Sequence, residues 1–513
     1  MTTLANKVIS GLISTGLSKV LLVIVGVTIT VVLARKLQPA DFGLIGMAGV
    51  VTAFLSMLSS LGFDSAIIQK QGLTDAQLST LFWIKAAVGV LSALCLLAAA
   101  PLVSLLYGEP RLTPIVRTLS LLFVISSLYQ THRSIVRKQL RFATIALNTV
   151  GSVVGAGCVA LLFAFMGGGV WSLVAQSLTL DVISGVLYWH ASAWRPCYTF
   201  AWRETLPVLR FGLTMAGGNM TLFLQRNIDS LLIGLLLGAT ALGYYALAYR
   251  MMYSPVRQIS SVFTDVLFPS LSTLQGDLAA MRRWYFRGLK SIAMLSFPIM
   301  TLVAIHSKTL VDVFCSGQWL PAVPVISIVA PAGAIQSVTY LTYVVFPVAG
   351  RPGMCVAQYL IGCMTLAAGI VIGSRWGITG AAWGVLASSA MCFIIAQVFL
   401  NRLLAIRFGA LLGVLGSALA GCAGMIGVAC AATAALGDAT QSTLYVGGSV
   451  VLSVILYAGI IGALEWRELY GLADLARQRV LGRRATRQEV TGSVQGGVAV
   501  SGHDAADAES REG

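Results

Sequence analysis

The chain has 513 residues, 57% of them apolar and only 10% charged, less than half the roughly 25% charge of a soluble domain. So few charged groups cannot cover the outside of cores built from so many apolar side chains, which excludes a large soluble enzyme, a disordered chain and a collagen-like one. The sequence specifies an all-α polytopic membrane protein. Its 34 Lys and Arg exceed its 19 Asp and Glu, for a formal charge of +15. No basic stripe with interleaved aromatics accompanies the excess, so nucleic acid is not expected as a partner. Positive charge in short loops instead orients helices and meets membrane lipids.

A membrane-spanning helix needs about 20 apolar residues, and about fourteen such runs follow one another along the chain. They lie at 11–33, 43–63, 80–106, 113–130, 144–166, 170–189, 207–237, 244–270, 289–314, 322–347, 354–374, 377–400, 410–436 and 443–464. Gly167-Gly168-Gly169 and Gly377-Ile378-Thr379-Gly380 precede two of them and read as tight hairpin turns. Met1–Leu33 is not expected to be a cleaved signal, because its apolar run is too long, holds Lys19 and lacks an A-x-A-like site.

One set of alternate loops carries Lys70, then Arg133, Arg137, Lys138 and Arg141, then Arg195 and Arg203, then Arg282, Arg283 and Arg287, then Arg351, Arg402 and Arg407. The other holds only Arg35, Lys36, Arg111, Arg117, Lys308 and Arg375. The positive-inside rule makes the first set cytoplasmic, and an even span count returns both termini there. No predicted external loop exceeds roughly twenty residues, which leaves no room for the catalytic domain of a glycan polymerase or ligase. No catalytic residue is predicted. The nine Cys show no metal or disulfide spacing, and Cys95, Cys158, Cys363 and Cys430 read as small buried hydrophobes. The four His are scattered, so no metal site is expected either.

An internal similarity recurs at an offset of about 200 residues. Leu37 matches Leu237, Gly43 matches Gly243 and Ala48 matches Ala248. Val103–Gly108 resembles Val311–Gly317, and Gly169 with Trp171 resembles Gly380 with Trp383. Six spans per copy is an even number, so both copies enter from one side and the pseudo-twofold lies along the membrane normal. The predicted division is an N-lobe at 1–200, a C-lobe at 201–407, two appended spans within 408–465, and a basic, then Gly/Ala/Ser-rich tail at 466–513.

Ionisable groups at bilayer depth cost at least about 2.5–3.5 kcal/mol each and usually face a cavity or a partner. Lys19, Lys85, Asp181, Arg226, Asp229, Arg250, Arg257 and Asp265 are in that position. Asn219, Arg226 and Asp229 share one face at helical spacing, as do Arg250 and Arg257 with Tyr253 between them. Two readings are open for Asp229: a locking ion pair with Arg226 or Arg250, or a gating group that holds and releases an arginine as the lobes rock and can bind a coupling proton or cation. Lys85 and Asp265 are expected to snorkel to an interface, and Asp181 has Lys85 as a possible partner. A cavity with more fixed cations than acids suits an anion. The arginine fork matches phosphate oxygens, so a diphosphate head group fits such a pocket while its lipid stays in the bilayer.

The segments Ala34–Gly43, Leu61–Gln69, Asn227-Ile228-Asp229, Leu242–Arg250 and Phe268–Ser272 resemble the polysaccharide-transporter family. That family comprises O-antigen, colanic-acid and exopolysaccharide flippases within the multidrug/oligosaccharidyl-lipid/polysaccharide superfamily, and the resemblance covers about residues 1 to 460. It implies two lobes and translocation of undecaprenyl-diphosphate-linked oligosaccharide from the cytoplasmic to the periplasmic leaflet by alternating access. It also implies polysaccharide polymerase and chain-length or export proteins as partners. Asp229 and Arg250 stand at polar positions of the matching segments. The candidate substrate-binding set is Lys19, Asn219, Arg226, Arg250, Tyr253 and Arg257, with Asp229 for coupling or gating. No cofactor is expected beyond a coupling H+ or Na+. Two alternatives are a MATE-like cation-coupled exporter, which would want acids in excess, and a polymerase or ligase, which would want a large external loop.

Overall fold

The computed structural model describes residues 21–60, 63–70, 72–207, 220, 223–250, 277–404, 406, 408–436 and 448–465. Every regular element among them is a helix. Ten described stretches are long and apolar enough to cross a membrane. Where they are described, the expected spans are largely helical with shifted ends, and local capping explains several of the shifts. Helix α1 covers residues 21–36. Helix α2 (Pro39–Ser60) begins four residues before the expected 43, because Pro39 needs no N–H partner in a first turn and the Asp41 carboxylate accepts from the Gln38 N–H at 3.0 Å. After the short α3 (Phe63–Gln69), helix α4 starts at Asp75 and runs to Tyr107. There Thr74 and Gln77 cap one another reciprocally and carry the helix beyond its apolar run.

Helices α5 (Leu112–Leu119) and α6 (Leu121–Lys138) make one bent span, and α7 (Phe142–Phe165) and α8 (Trp171–Ala191) form a hairpin. Its turn is the expected triple-glycine segment, with Gly167 and Gly169 both at positive φ. Helix α9 (Phe223–Arg250) joins the end of the seventh expected run to the start of the eighth, whose remaining residues, 251–270, lie outside the described residues. A straight helix would hold Asp229 and Tyr245 about 24 Å apart, yet the Tyr245 hydroxyl donates to the Asp229 carboxylate at 2.8 Å. The helix therefore folds back on itself, and Gly238 at φ +81° is the residue that turns it.

Helix α10 (Leu278–Ile305) starts eleven residues before the expected 289, where the Asp277 carboxylate accepts from the Ala280 N–H. Arg282, Arg283 and Arg287 thus ride on helix, not in a loop. The expected 289–314 span ends at Ile305, and α11 (Ser307–Phe314) is a separate short helix. Helices α12 (Ala322–Thr339) and α13 (Thr342–Val348) share the next span, followed by the hairpin of α14 (Pro352–Gly373) and α15 (Gly377–Leu404). Helices α16 (Phe408–Leu436) and α17 (Gly448–Glu465) close the described chain. They dock on α10, through Lys290 with Glu465 and a 3.0 Å bond from the Tyr457 hydroxyl to the Met294 carbonyl.

Extensive packing among α2–α8 and α10–α16 falls within one group or the other. The two bundles meet at a seam on the predicted external side. An added Cβ on Gly43 would lie 1.7 Å from the Ala239 carbonyl oxygen, and one on Gly243 would lie 1.8 Å from that of Pro39. The contact is reciprocal at an offset of 200 residues, the form of contact that a local twofold generates. Around it one hydrophobic cluster runs from Leu33 and Met47 through Leu242 to Trp319 and Val325.

Several charges sit differently from expectation. Lys85 does not snorkel: it is 3% exposed and paired with Asp64 of α3, whose carboxylate also accepts from the Ser134 hydroxyl at 2.8 Å. Asp181 accepts from the Tyr129 hydroxyl at 2.8 Å and not from Lys85. The short α3, too brief to register as a span, carries the acid that claims the lysine. Cys363 is buried as expected, but Cys95, Cys158 and Cys430 are exposed on the outside of the bundles. Asp265 and the tail at 466–513 lie outside the described residues.

The α14–α15 hairpin depends on backbone contact, since a Cβ on Gly384 would lie 2.1 Å from the Gly369 carbonyl oxygen. Gly384→Leu is expected to destabilise the protein by about 1–3 kcal/mol or more, the cost of overpacking. A lower melting temperature in detergent checks this.

Candidate functional site

Two cavities flank the second arm of α9. The first lies inside the second bundle, among α9, α12, α13, α14 and α15, with a volume of about 110 Å³, room for several waters. Its floor is the Asp229 carboxylate, 5% exposed, with one oxygen accepting from the Tyr245 hydroxyl at 2.8 Å and the other from the Ser230 N–H at 2.7 Å. Amides and hydroxyls line the rest. Gln225 donates to the Tyr343 hydroxyl at 3.1 Å, Gln336 donates to the Ser389 hydroxyl at 3.1 Å, and Tyr343 stacks on Tyr359 with centroids 4.3 Å apart. Arg226 lies on the same wall, one turn before Asp229.

The second cavity lies between the bundles and is larger, about 270 Å³. Helix α1 supplies residues 22–31, α8 supplies Gln176, α9 supplies Leu247 and Arg250, and Cys315 closes one end. At 1.5 Å per residue, Val31 stands about 9 Å below Leu37 at the seam and Leu22 about 22 Å below it, which places the cavity near the middle of a bilayer core about 30 Å thick. Gln176 and Thr30 add neutral polar groups to this wall.

Sequence reasoning puts Arg226 and Arg250 in one cation-rich pocket, and the structure separates them. Tyr245 and Tyr249, one turn apart, face the chamber inside the bundle, whereas Leu247 and Arg250 face the cavity between bundles. The second arm of α9 is the partition, because residues two apart on a helix point to different sides. The expected ion pair of Asp229 with Arg226 or Arg250 is not made. Among the described residues no carboxylate lies within 4.0 Å of either guanidinium. Lys19, Asn219, Tyr253 and Arg257 lie outside the described residues.

The pattern of charges and neighbouring polar residues in the sequence does not mark Gln176, Gln336, Tyr343 or Tyr359. The signal was there to find: glutamine inside an apolar run must have a partner or a cavity, as a charge must.

The family described as polysaccharide biosynthesis protein matches residues 32–324, more than half of the chain. The teichuronic acid biosynthesis protein TuaB of Bacillus subtilis (strain 168) is 28% identical over 340 residues, covering 66% of this chain and 70% of that one. The lipopolysaccharide biosynthesis protein WzxC of Escherichia coli (strain K12) is 26% identical over 342 residues, covering 65% and 68%. Among solved structures, the lipid II flippase MurJ in an inward closed conformation superposes with a TM-score of 0.71 at 13% identity, covering 90% of this chain and 100% of that one. The fold is shared with that transporter.

Tyr245→Phe removes the hydroxyl that donates to a buried carboxylate. An unpaired buried acceptor costs about 1–3 kcal/mol, so this variant is expected to melt at a lower temperature than the parent in detergent.

Proposed function

Because the chain belongs to the polysaccharide biosynthesis protein family, we propose that it is a flippase for undecaprenyl-diphosphate-linked oligosaccharides. The cargo moves from the cytoplasmic to the external leaflet of the bacterial inner membrane, and both termini of the protein are cytoplasmic. The observation that carries this reading is the cavity between the bundles, at mid-bilayer depth, with the Arg250 guanidinium on its wall and no carboxylate in ion-pair range among the described residues. A fixed charge in such a place is expensive unless water or an anion meets it. A guanidinium offers two parallel donors to phosphate oxygens. The diphosphate occupies the cavity, its saccharide shares the water-filled space, and the polyprenyl chain remains in lipid between the bundles. Alternating access follows from two bundles that rock against one another as rigid bodies.

Asp229 supplies the coupling site. It is a buried carboxylate held by a tyrosine hydroxyl and a backbone N–H rather than by an arginine, which leaves it free to take up a proton or sodium ion from the chamber. Arg226, on the same wall, senses that charge. A cation-coupled exporter of cationic compounds would use the same fold, but the Arg250 charge repels such cargo. Polysaccharide polymerase and chain-length or export proteins are the expected downstream partners.

In proteoliposomes, a fluorescent undecaprenyl-diphosphate oligosaccharide should be flipped by the parent protein. Arg250→Gln is expected to slow it by about tenfold to a hundredfold, the effect of losing a hydrogen bond to a charged group worth about 1.5–3 kcal/mol, while Arg250→Lys retains more activity. Equal rates in all three, at equal protein, would refute the assignment of the cavity. An imposed sodium or proton gradient should accelerate flipping by the parent and leave Asp229→Asn unaffected. Equal acceleration of both would remove Asp229 from the coupling site.

A further inference from the structure

The seam between the bundles is fastened by a small set of polar contacts. Its polar contacts run from side chains of one bundle to backbone carbonyls of the other, at helix ends. The Trp319 indole N–H donates to the Ala34 carbonyl at 2.7 Å, and the Gln318 amide to the Leu37 carbonyl at 2.8 Å. In the opposite direction, the Arg35 guanidinium donates to the carbonyls of Val313 and Phe314 in the last turn of α11. The edge of the Trp319 ring meets Phe42, with centroids 5.2 Å apart.

These carbonyls share a property. The last turn of a helix leaves its C=O groups without intrahelical partners. Ala34 shows this directly, since the N–H of Gln38, four residues on, is taken by Asp41. All of them lie at the membrane face that carries Arg35 and Lys36. Water can replace each donor there when the bundles part, so the contacts hold the seam shut without making its opening prohibitive. Beneath them, Gly43 and Gly243 let the two chain reversals touch backbone to backbone, a contact possible only while the seam is shut.

We propose that this seam is an external latch: Arg35 and Trp319 are its breakable fasteners, and the Gly43 and Gly243 contacts are the surface that must separate for the cavity to open outward. The inference rests on the flippase reading for its purpose and on the charge distribution for its sidedness. Cys315 is a native reporter, because it is 7% exposed, follows the Arg35-bound turn and lines the cavity just behind the latch.

The test uses the full chain with every other cysteine replaced by alanine. Cys315 is labelled by a membrane-impermeant maleimide from the outside of spheroplasts and, separately, from the outside of inverted vesicles. Arg35→Gln and Trp319→Phe each remove donors from the latch, and each is expected to raise external labelling by about threefold to tenfold, the population shift that loss of a hydrogen bond produces. Gly43→Ala and Gly243→Ala insert a methyl where a carbonyl oxygen stands, at no intrinsic cost to a helix, and should raise labelling at least as much. Gly49→Ala, with nothing within 4 Å, should leave it unchanged. Labelling that stays at the parent rate in Arg35→Gln and Trp319→Phe overturns the proposal, whether or not the glycine variants accumulate. A rise seen only from inverted vesicles sustains the latch and overturns the sidedness. A rise with no flipping activity in the parent sustains the latch and counts against the flippase reading alone.

Discussion

Helices in a bilayer gain little by hiding apolar surface from one another, because lipid is as apolar as leucine. They associate where backbones can approach and where polar groups find partners. That constraint accounts for the architecture. The α14–α15 hairpin closes on Gly369 against Gly384 and Gly373 against Gly380, and the two bundles close on Gly43 against Ala239 and Gly243 against Pro39. In each place a single methyl would collide with a carbonyl. The seam differs in lying between bundles rather than within one, so the same close approach that builds a rigid hairpin there defines a surface along which two rigid bodies can part.

The same solvent decides where charge can sit. Lys85 is neutralised by Asp64, and Lys290 is paired with Glu465, so both are structural. Asp229 is held by donors that carry no formal charge. Arg226 and Arg250 remain, and each stands on a cavity wall. Among the described residues, these charges are thereby sorted into those that fasten helices and those that line cavities. One arm of α9 divides these arginines between two cavities that share it as a wall.

The sequence by itself determined the class of solvent, the all-helical architecture and the family, because each depends on composition or on motifs contiguous in the chain. It located the turns at Gly167–Gly169 and Gly377, since left-handed backbone requires glycine locally, and it marked Gly43 and Gly243 as equivalent. Helix starts were less legible: Thr74 with Gln77 and Asp277 extend α4 and α10 past their apolar runs, and caps act through single hydrogen bonds that a hydropathy count does not weigh. Only tertiary structure decided the pairings. Lys85 with Asp64, Tyr129 with Asp181, Asp229 with Tyr245 and Trp319 with Ala34 join residues from 16 to 285 positions apart, and what brings such residues together is the packing of whole helices. The division of Arg226 and Arg250 into different cavities has the same origin, because a helix shows two faces but its neighbours decide what each face meets.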